Sequence, residues 1–217
     1  MDNLVIETAT VGLATFFATI GPLDVAAVFA ALTAGETAKH RRRMAVRGTA
    51  IATSILILFA LVGESLLSAL GISLAALRTG GGILLLLIGI DMVFARASGS
   101  TSTTDEEEQE ALGKRDISVF PIATPLIAGP GAMGAVILLM ANTEGELALQ
   151  AAVIAALLAI IALTFGMLLL ASKIQRLFGV TGMHVVTRIF GVLLSALAVP
   201  PALIKGHQRY ASQRACQ

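Results

Sequence analysis

Residues 119–134 combine two properties that conflict within one helix. The stretch is apolar enough to lie in a lipid bilayer, yet it contains three prolines and three glycines. Proline lacks the N–H donor and its ring clashes with the preceding turn, so an unbroken α-helix is excluded. Lipid does not tolerate unpaired backbone groups, so such a break survives only where other helices or a water-lined cavity satisfy it. Residues 18–24, which include Gly21, Pro22 and Asp24, have the same character.

Two apolar segments with Gly-Pro breaks, in corresponding halves of a chain, are typical of transporter binding sites. The composition fits a membrane protein, since 13% of the 217 residues are charged against about 25% in soluble domains. A net charge of +1 without a basic, aromatic-interleaved patch gives no indication of a nucleic-acid partner. The lone cysteine, Cys216, excludes an internal disulfide, and no metal-ligand spacing occurs. The N-terminus lacks the basic region of a cleaved signal, so the first apolar segment is expected to stay as an anchor.

Six segments are long enough to cross a bilayer, which takes about 20 mainly apolar residues. They are 5–33, 45–70, 74–95, 117–141, 147–171 and 185–204. The predicted fold is therefore an all-α polytopic membrane protein with six transmembrane helices. A different count follows if the interrupted segments are re-entrant.

Positive charge in the loops predicts the orientation, because Lys and Arg concentrate on the cytoplasmic side. The first loop, 34–44, carries four basic residues, whereas the second and fourth loops are almost free of them. The N-terminus is therefore expected outside, in the periplasm. The tail, with Lys205, Arg209 and Arg214, argues for a cytoplasmic C-terminus instead.

The chain divides into two halves of three spans each, 1–96 and 117–205, followed by a polar tail, 206–217. The two halves are joined by an acidic cytoplasmic linker, 97–116, whose composition predicts a solvated, flexible loop. Each half begins with a broken span, and the third spans share Arg-x-x-Gly followed by an apolar run, at Arg78 and Arg188. An odd number of spans per half makes the second copy inverted, as in many alternating-access transporters.

The breaks are the candidate site. Pro22 and Pro130 each fit the first position of a half-helix, whose N-terminus offers N–H groups and partial positive charge to a carboxylate. Thr124 can bond carbonyls freed by Pro125. The predicted substrate-binding residues are Gly21, Pro22, Asp24, Thr124, Pro125, Gly129, Pro130 and Gly131.

Charged side chains in the spans allow more than one role. Asp24 would bind a substrate ammonium, carry a coupling proton or sodium ion, or cap its own helix. Arg78 and Arg188 would gate the site by pairing with Asp24 or a carboxylate. The alternative is that they extend to lipid headgroups; gating is favoured for Arg78 and headgroup contact for Arg188.

Four stretches resemble the MarC family of bacterial inner-membrane proteins. The most specific is Phe-Pro-Ile-Ala-Thr-Pro-Leu-Ile-Ala-Gly-Pro-Gly at 120–131, and the others lie at 17–33, 80–89 and 187–199. The resemblance implies six spans in the inner membrane, and it places the chain in a class for which transport of small neutral amino acids has been proposed. Many members have Asn before the first proline, where this chain has Gly21. The difference predicts that the substrate specificity of this chain departs from that of those members.

The leading hypothesis is a secondary transporter or exporter of small solutes such as neutral amino acids. It needs no cofactor, and its coupling to H⁺ or Na⁺ is open. The second hypothesis is a membrane scaffold or regulator that acts through its acidic loop. An intramembrane enzyme ranks last, because no catalytic constellation is recognisable. The glycine-rich third span serves packing within one chain or between two, so a homo-oligomer is a further option.

Overall fold

The computed structural model describes residues 2–33, 35–73 and 116–198, together with nine isolated positions between 76 and 94. Beyond residue 171 the description covers the helical backbone and the side chain of Val192. Every regular element in these ranges is helical. The predicted all-α class is confirmed for this part of the chain.

The first apolar segment consists of two helices, α1 (Asp2–Ile20) and α2 (Pro22–Leu32). They are separated by Gly21 alone, whose φ of 60° and ψ of 61° lie in the left-handed region. Hydrogen bonding continues across the break, because Gly21 N donates to Phe17 O at 3.0 Å and Val25 N donates to Gly21 O at 3.0 Å. The predicted break is confirmed, and the two helices still form one candidate span, Asn3–Leu32.

Helix α3 (Ala38–Ala69) begins seven residues before the predicted span 45–70. Its N-cap is Thr37, whose side-chain oxygen accepts a hydrogen bond from His40 N at 3.3 Å. The basic residues of the predicted loop 34–44 therefore lie on the first turns of a helix. Hydropathy marks the part of a helix that lies in lipid, whereas capping decides where the helix begins.

An irregular segment, Ser118–Ile127, follows the linker and consists of two wide turns. One turn is closed by Ile122 N donating to Ile117 O at 3.2 Å, and the next by Ala128 N donating to Ala123 O at 2.8 Å. Each turn contains a cis X-Pro bond preceded by a residue in extended conformation.

Helix α4 (Pro130–Ala141) starts after the irregular segment and is bent by 52° from it. Proline is tolerated at this first helical position because no intrahelical partner exists for the missing N–H. The prediction that 119–134 cannot be one helix is confirmed.

The last described element is a single helix, α5 (Leu147–Ala198), of 52 residues. The predicted loop between separate fifth and sixth spans, at 172–184, is wrong for the structure described, since the helix continues through it. That stretch is polar but contains no proline, and each of its glycines costs a helix only about 1 kcal/mol. The part apolar enough to cross a membrane is Leu147–Ala171.

Packing contacts reveal the direction of each element. Helices α1 and α2 pack on α5, while α3 packs on the irregular segment and α4. Gly48 of α3 lies against Ile122, and Gly63 lies against Ile137, so α3 runs parallel to the second broken segment. The start of α1, at Leu4, and the end of α4, at Leu139, line one cavity. The two broken segments therefore run antiparallel to each other.

The bundle exposes apolar side chains as well as burying them. Phe16, Phe29, Leu56, Ile122 and Leu157 are almost fully buried. Large apolar residues on the outer faces of α3 and α5 are 40–69% exposed, among them Leu58, Leu61, Leu158, Leu163 and Leu169. Such a surface is stable against hydrocarbon rather than water. The described part holds three candidate spans, or four if the bent pair crosses once.

Candidate functional site

The short helices α2 and α4 place each break about half a bilayer's thickness from one end of the bundle. Helix α2 has 11 residues and α4 has 12, which correspond to about 16 and 18 Å of length. The hydrocarbon core is about 30 Å thick, so each helix covers roughly half of it. Because the broken segments are antiparallel, α2 and α4 run from the middle of the bundle toward its opposite ends. Their N-termini both lie in the middle. Two positive helix ends therefore lie in the interior of the bundle, each about 16–18 Å from one of its ends.

The first break is compact and buried. Gly21 and Pro22 are both buried, and Pro22 occupies the first position of α2 as predicted. Asp24 is the third residue of α2, and its carboxyl group folds back over Gly21. Its Oδ2 atom lies 3.3 Å from the position that a Cβ on Gly21 would take. An acid in the first turn interacts favourably with the N–H end of the helix.

The second break is longer and more open. Thr124 Oγ1 donates to Val119 O at 3.3 Å, so this hydroxyl bonds a carbonyl of the interrupted segment. Gly129 is extended, with φ of −83° and ψ of 170°. Pro130 begins α4 and is exposed, whereas Gly131 is buried. The two Gly-Pro pairs thus start helices in the same way but differ in the conformation of the glycine and in exposure.

Asp116 fixes the start of the irregular segment to α3. Its Oδ1 accepts hydrogen bonds from Ser118 N, at 3.0 Å, and from Ser118 Oγ. Its Oδ2 accepts a hydrogen bond from Arg47 Nη1 at 3.1 Å. The bonds from Ser118 lower the pKa of Asp116 below its ordinary value, the Arg47 charge lowers it further, and partial burial opposes both. Sequence reasoning missed this contact, because it joins residues far apart in the chain.

Sequence reasoning also missed a group of buried threonines beside the breaks. Thr15 and Thr19 lie six and two residues before Gly21, and Thr19 Oγ1 donates to Thr15 O at 2.9 Å. Thr49 lies next to Gly48 on α3, and its buried hydroxyl has no hydrogen-bond partner among the described residues. The signal was present in the sequence as hydroxyl residues within apolar segments.

Among the described residues, cavities at two ends of the bundle stand out, and neither of these two is lined by the predicted substrate-binding residues. The larger, of about 310 Å³, lies where α2 ends and α3 begins. The smaller, of about 160 Å³, lies where α1 begins and α4 ends. The larger is lined by Phe29, Thr33, Ala38, Arg41, Arg42, Leu168, Leu169 and Ala171.

Several predicted residues cannot be placed in the site. Arg78 lies outside the described residues, as do positions 97–115 of the linker and the tail 206–217. Arg188 lies on helix α5, and its side chain is outside the description. No cluster of three potential metal ligands occurs within the described ranges. The structure therefore brings both breaks into the interior of the bundle but does not test the two gating arginines.

Comparison with known proteins gives one consistent result. The sequence profile of the MarC family integral membrane proteins matches residues 6–206. A UPF0056 membrane protein of Methanocaldococcus jannaschii is 36% identical over 185 residues, which are 85% of this chain and 89% of that protein. The UPF0056 membrane protein YvbG of Bacillus subtilis is 35% identical, over 85% and 87%. The UPF0056 membrane protein YhcE of Escherichia coli is 31% identical, over 84% of each. No solved structure matches the chain.

Proposed function

Since the chain belongs to the MarC family of integral membrane proteins, we propose that it is a secondary transporter or exporter of small solutes such as neutral amino acids. The observation that carries the proposal is the pair of antiparallel broken segments, whose half-helices α2 and α4 both begin in the interior of the bundle. Irregular backbone within a membrane is stable only when protein or a solvated site satisfies it. A solute-binding site supplies a reason for retaining it.

The chemistry of the breaks suits a zwitterion. The N-terminal ends of α2 and α4 carry partial positive charge and attract a carboxylate. Asp24, at the start of α2, is the acidic group closest to the first break and is the proposed partner of a substrate ammonium. Gly131, buried in the first turn of α4, lets a ligand approach the backbone closely.

Asp24 is also the proposed coupling group. An acidic side chain within a membrane span is costly, and it commonly marks a proton or ion pathway. Coupling to H⁺ or Na⁺ at this carboxylate would drive transport without a nucleotide, and the sequence has no ATP-binding signature. The protein would act in the bacterial inner membrane, with its N-terminus in the periplasm.

The proposed architecture is two inverted halves of three crossings each, 1–96 and 117–205, joined by the linker 97–116. The antiparallel course of the two broken segments supports the inversion. Six crossings also require that the chain reverses direction between 172 and 184, where the structure has continuous helix. A labelling experiment that decides this count is given in the Discussion.

Counterflow in proteoliposomes tests transport directly. Vesicles that contain the purified protein are loaded with unlabelled amino acids, and the uptake of labelled alanine, glycine and serine is followed. Uptake above that of empty liposomes is expected. The substitutions Pro22→Ala, Asp24→Asn and Pro130→Ala should each abolish it, because they alter the helix starts or remove the charge. The matched control is Glu36→Gln, which removes an exposed carboxylate between α2 and α3 and should leave uptake in place.

Deleting residues 101–110 separates transport from the scaffold alternative. A carrier with its site at the breaks keeps its uptake without this acidic run, whereas a scaffold that acts through the loop loses its partner. If folded protein transports none of the three amino acids, the amino-acid proposal is wrong. Uptake that survives Asp24→Asn would keep the carrier but move its site to the second break.

A further inference from the structure

The larger cavity lies at the boundary of the membrane. It is framed by the end of α2, the first turns of α3 and residues 168–171 of α5. Three candidate spans, Asn3–Leu32, Ala38–Gly63 and Leu147–Ala171, each have one end at this cavity. The first turns of α3 carry Lys39, Arg41, Arg42 and Arg43. Because such charges are costly in hydrocarbon, this end of the bundle, and the cavity with it, is expected at the level of lipid headgroups.

Two arginines give this cavity a positive charge. Arg41 and Arg42 line it, and neither has an ion-pair partner among the described residues. Both lie near the N-terminus of α3, whose first turn holds no acidic residue. Cations at a helix N-terminus oppose the helix dipole. An anion held between the two guanidinium groups would offset both the charge repulsion and the dipole.

The rest of the cavity wall is apolar. Phe29 is buried at its base, and Leu168 and Ala171 of α5 are buried beside it. Leu169 also lines the cavity and is 45% exposed, so the cavity continues onto the apolar outer surface of α5. A soluble anion would use only the arginines. A ligand with an anionic head and a hydrocarbon chain would use the whole wall.

We infer that this cavity binds an anionic phospholipid. The lipid phosphate pairs with Arg41 and Arg42, and an acyl chain lies along Leu168 and Leu169. Basic pockets between membrane helices at the headgroup level recognise lipids in this way. Arginine suits the task because its planar guanidinium forms bidentate hydrogen bonds with phosphate. The inference stands apart from the proposed transport, since it uses none of the residues at the breaks.

Thermal unfolding of the full-length protein in neutral detergent tests it. Phosphatidylglycerol is added in increasing amounts, with phosphatidylcholine and glycerol phosphate in parallel. Phosphatidylglycerol is expected to raise the unfolding temperature in a saturable way. Phosphatidylcholine lacks the net charge and glycerol phosphate lacks the chains, so both should have little effect at equal concentration.

Paired variants locate the site. Arg41→Gln with Arg42→Gln should weaken the effect of phosphatidylglycerol by at least about tenfold in concentration, because charge-assisted hydrogen bonds are lost. The matched control is Lys39→Gln with Arg43→Gln, which removes equal charge from the same turns but does not line the cavity. It should stay within about threefold of the native protein. Arg41→Lys with Arg42→Lys, which keeps the charge, should restore part of the effect.

Three outcomes would overturn the inference. Equal loss in the Gln pair and its control would mean diffuse attraction to the basic helix end. An equal response to glycerol phosphate would mean a free anion site. Equal stabilisation by phosphatidylcholine, or none by phosphatidylglycerol, would mean that the cavity does not select an anionic lipid. Unfolding temperatures measured without lipid show whether each variant is folded.

Discussion

At the scale of single residues, glycine decides how closely α3 approaches the second broken segment. A Cβ on Gly48 would lie 2.7 Å from Ile122 Cγ2 and 3.0 Å from the backbone oxygen of Ser118. The substitution Gly48→Ala must therefore displace backbone, and we expect it to destabilise the protein by about 1–3 kcal/mol. Thermal unfolding in detergent measures the change.

The matched control for Gly48 is Gly166, on α5. Among the described residues, no atom other than those of its chain neighbours and its own helix backbone lies within 4 Å of a Cβ built at Gly166. Since alanine favours a helix over glycine by about 1 kcal/mol, Gly166→Ala should leave stability unchanged or raise it. A Gly48→Ala variant as stable as native protein would contradict the close packing of α3 on Ile122.

The unpartnered hydroxyl of Thr49 makes a second prediction. Its oxygen is buried without a described hydrogen-bond partner, and such a group costs about 1–3 kcal/mol. Thr49→Val removes the hydroxyl with little change of shape, so stability should rise by up to about 1 kcal/mol. Thr164 is the control, because its buried Oγ1 donates to Ile160 O at 2.7 Å, and Thr164→Val should give no such gain. A loss of stability in Thr49→Val would show that the hydroxyl has a partner.

Asp116 makes stability depend on pH. Hydrogen bonds from Ser118 and the charge of Arg47 lower its pKa in the folded protein. A lowered pKa means that the stabilisation is complete above the unfolded value of about 3.9 and is lost as pH falls through the folded value. The side chain is 48% exposed, so the effect should stay within about 1 kcal/mol. Unfolding temperatures from pH 7 downward should show the native advantage over Asp116→Asn shrinking as the medium becomes acidic.

The pH experiment has a control at the same end of the bundle. Glu36→Gln removes an exposed carboxylate that does not cap the irregular segment. Measured over the same pH range, this variant shows how far the removal of one negative charge at this end of the bundle affects stability. An Asp116→Asn variant that follows the native curve at every pH would mean that the contact with Ser118 and Arg47 adds no stability.

At the scale of elements, the first break depends on one left-handed residue. Gly21 has a φ of 60°, which costs a residue with a Cβ about 1–2 kcal/mol. Gly21→Ala should destabilise the protein by about that amount in thermal unfolding. Gly21→Asn should be tolerated better, because Asn adopts the left-handed region more readily. Equal loss in both variants would point to crowding by Asp24.

Some elements were predicted correctly from the sequence and others were not, because proline, glycine and hydropathy each report a different property of the chain. Proline and glycine act locally, so the break at Gly21 and the helix starts at Pro22 and Pro130 were predicted correctly. Hydropathy detects only the embedded length, so the early start of α3 and the course of α5 through 172–184 were not. The conformation of Ser118–Ile127 depends on contacts with α3, made by residues about 70 positions away in the chain. Such contacts leave no local pattern.

At the scale of the whole molecule, the direction of each element predicts which loops share a side of the membrane. Glu36, between α2 and α3, and Asp116 should lie on one side, and Glu144, between α4 and α5, on the other. Labelling of Glu36→Cys and Glu144→Cys in intact cells with a membrane-impermeant reagent, on a Cys216→Ser background, should give opposite results. Labelling of both from one side would contradict the antiparallel course of the broken segments.

The natural Cys216 reports the number of crossings. If the chain reverses after residue 171 and crosses again, Cys216 is labelled from the side of Glu144. If α5 continues without crossing again, Cys216 is labelled from the side of Glu36. The first result supports two inverted halves of three spans. The second would remove the sixth crossing and, with it, the symmetry of the proposed architecture.

The single-residue break in the first span has a mechanical consequence. Regular hydrogen bonds on both sides of Gly21 leave this residue as the main point of rotation between α1 and α2. Thr33, at the far end of α2, is about 16 Å from that pivot. A swing of about 10° at Gly21 would thus move Thr33 by roughly 3 Å, given that lever length. Thr33 lines the larger cavity. A small rotation at Gly21 would therefore become a larger displacement at the wall of that cavity.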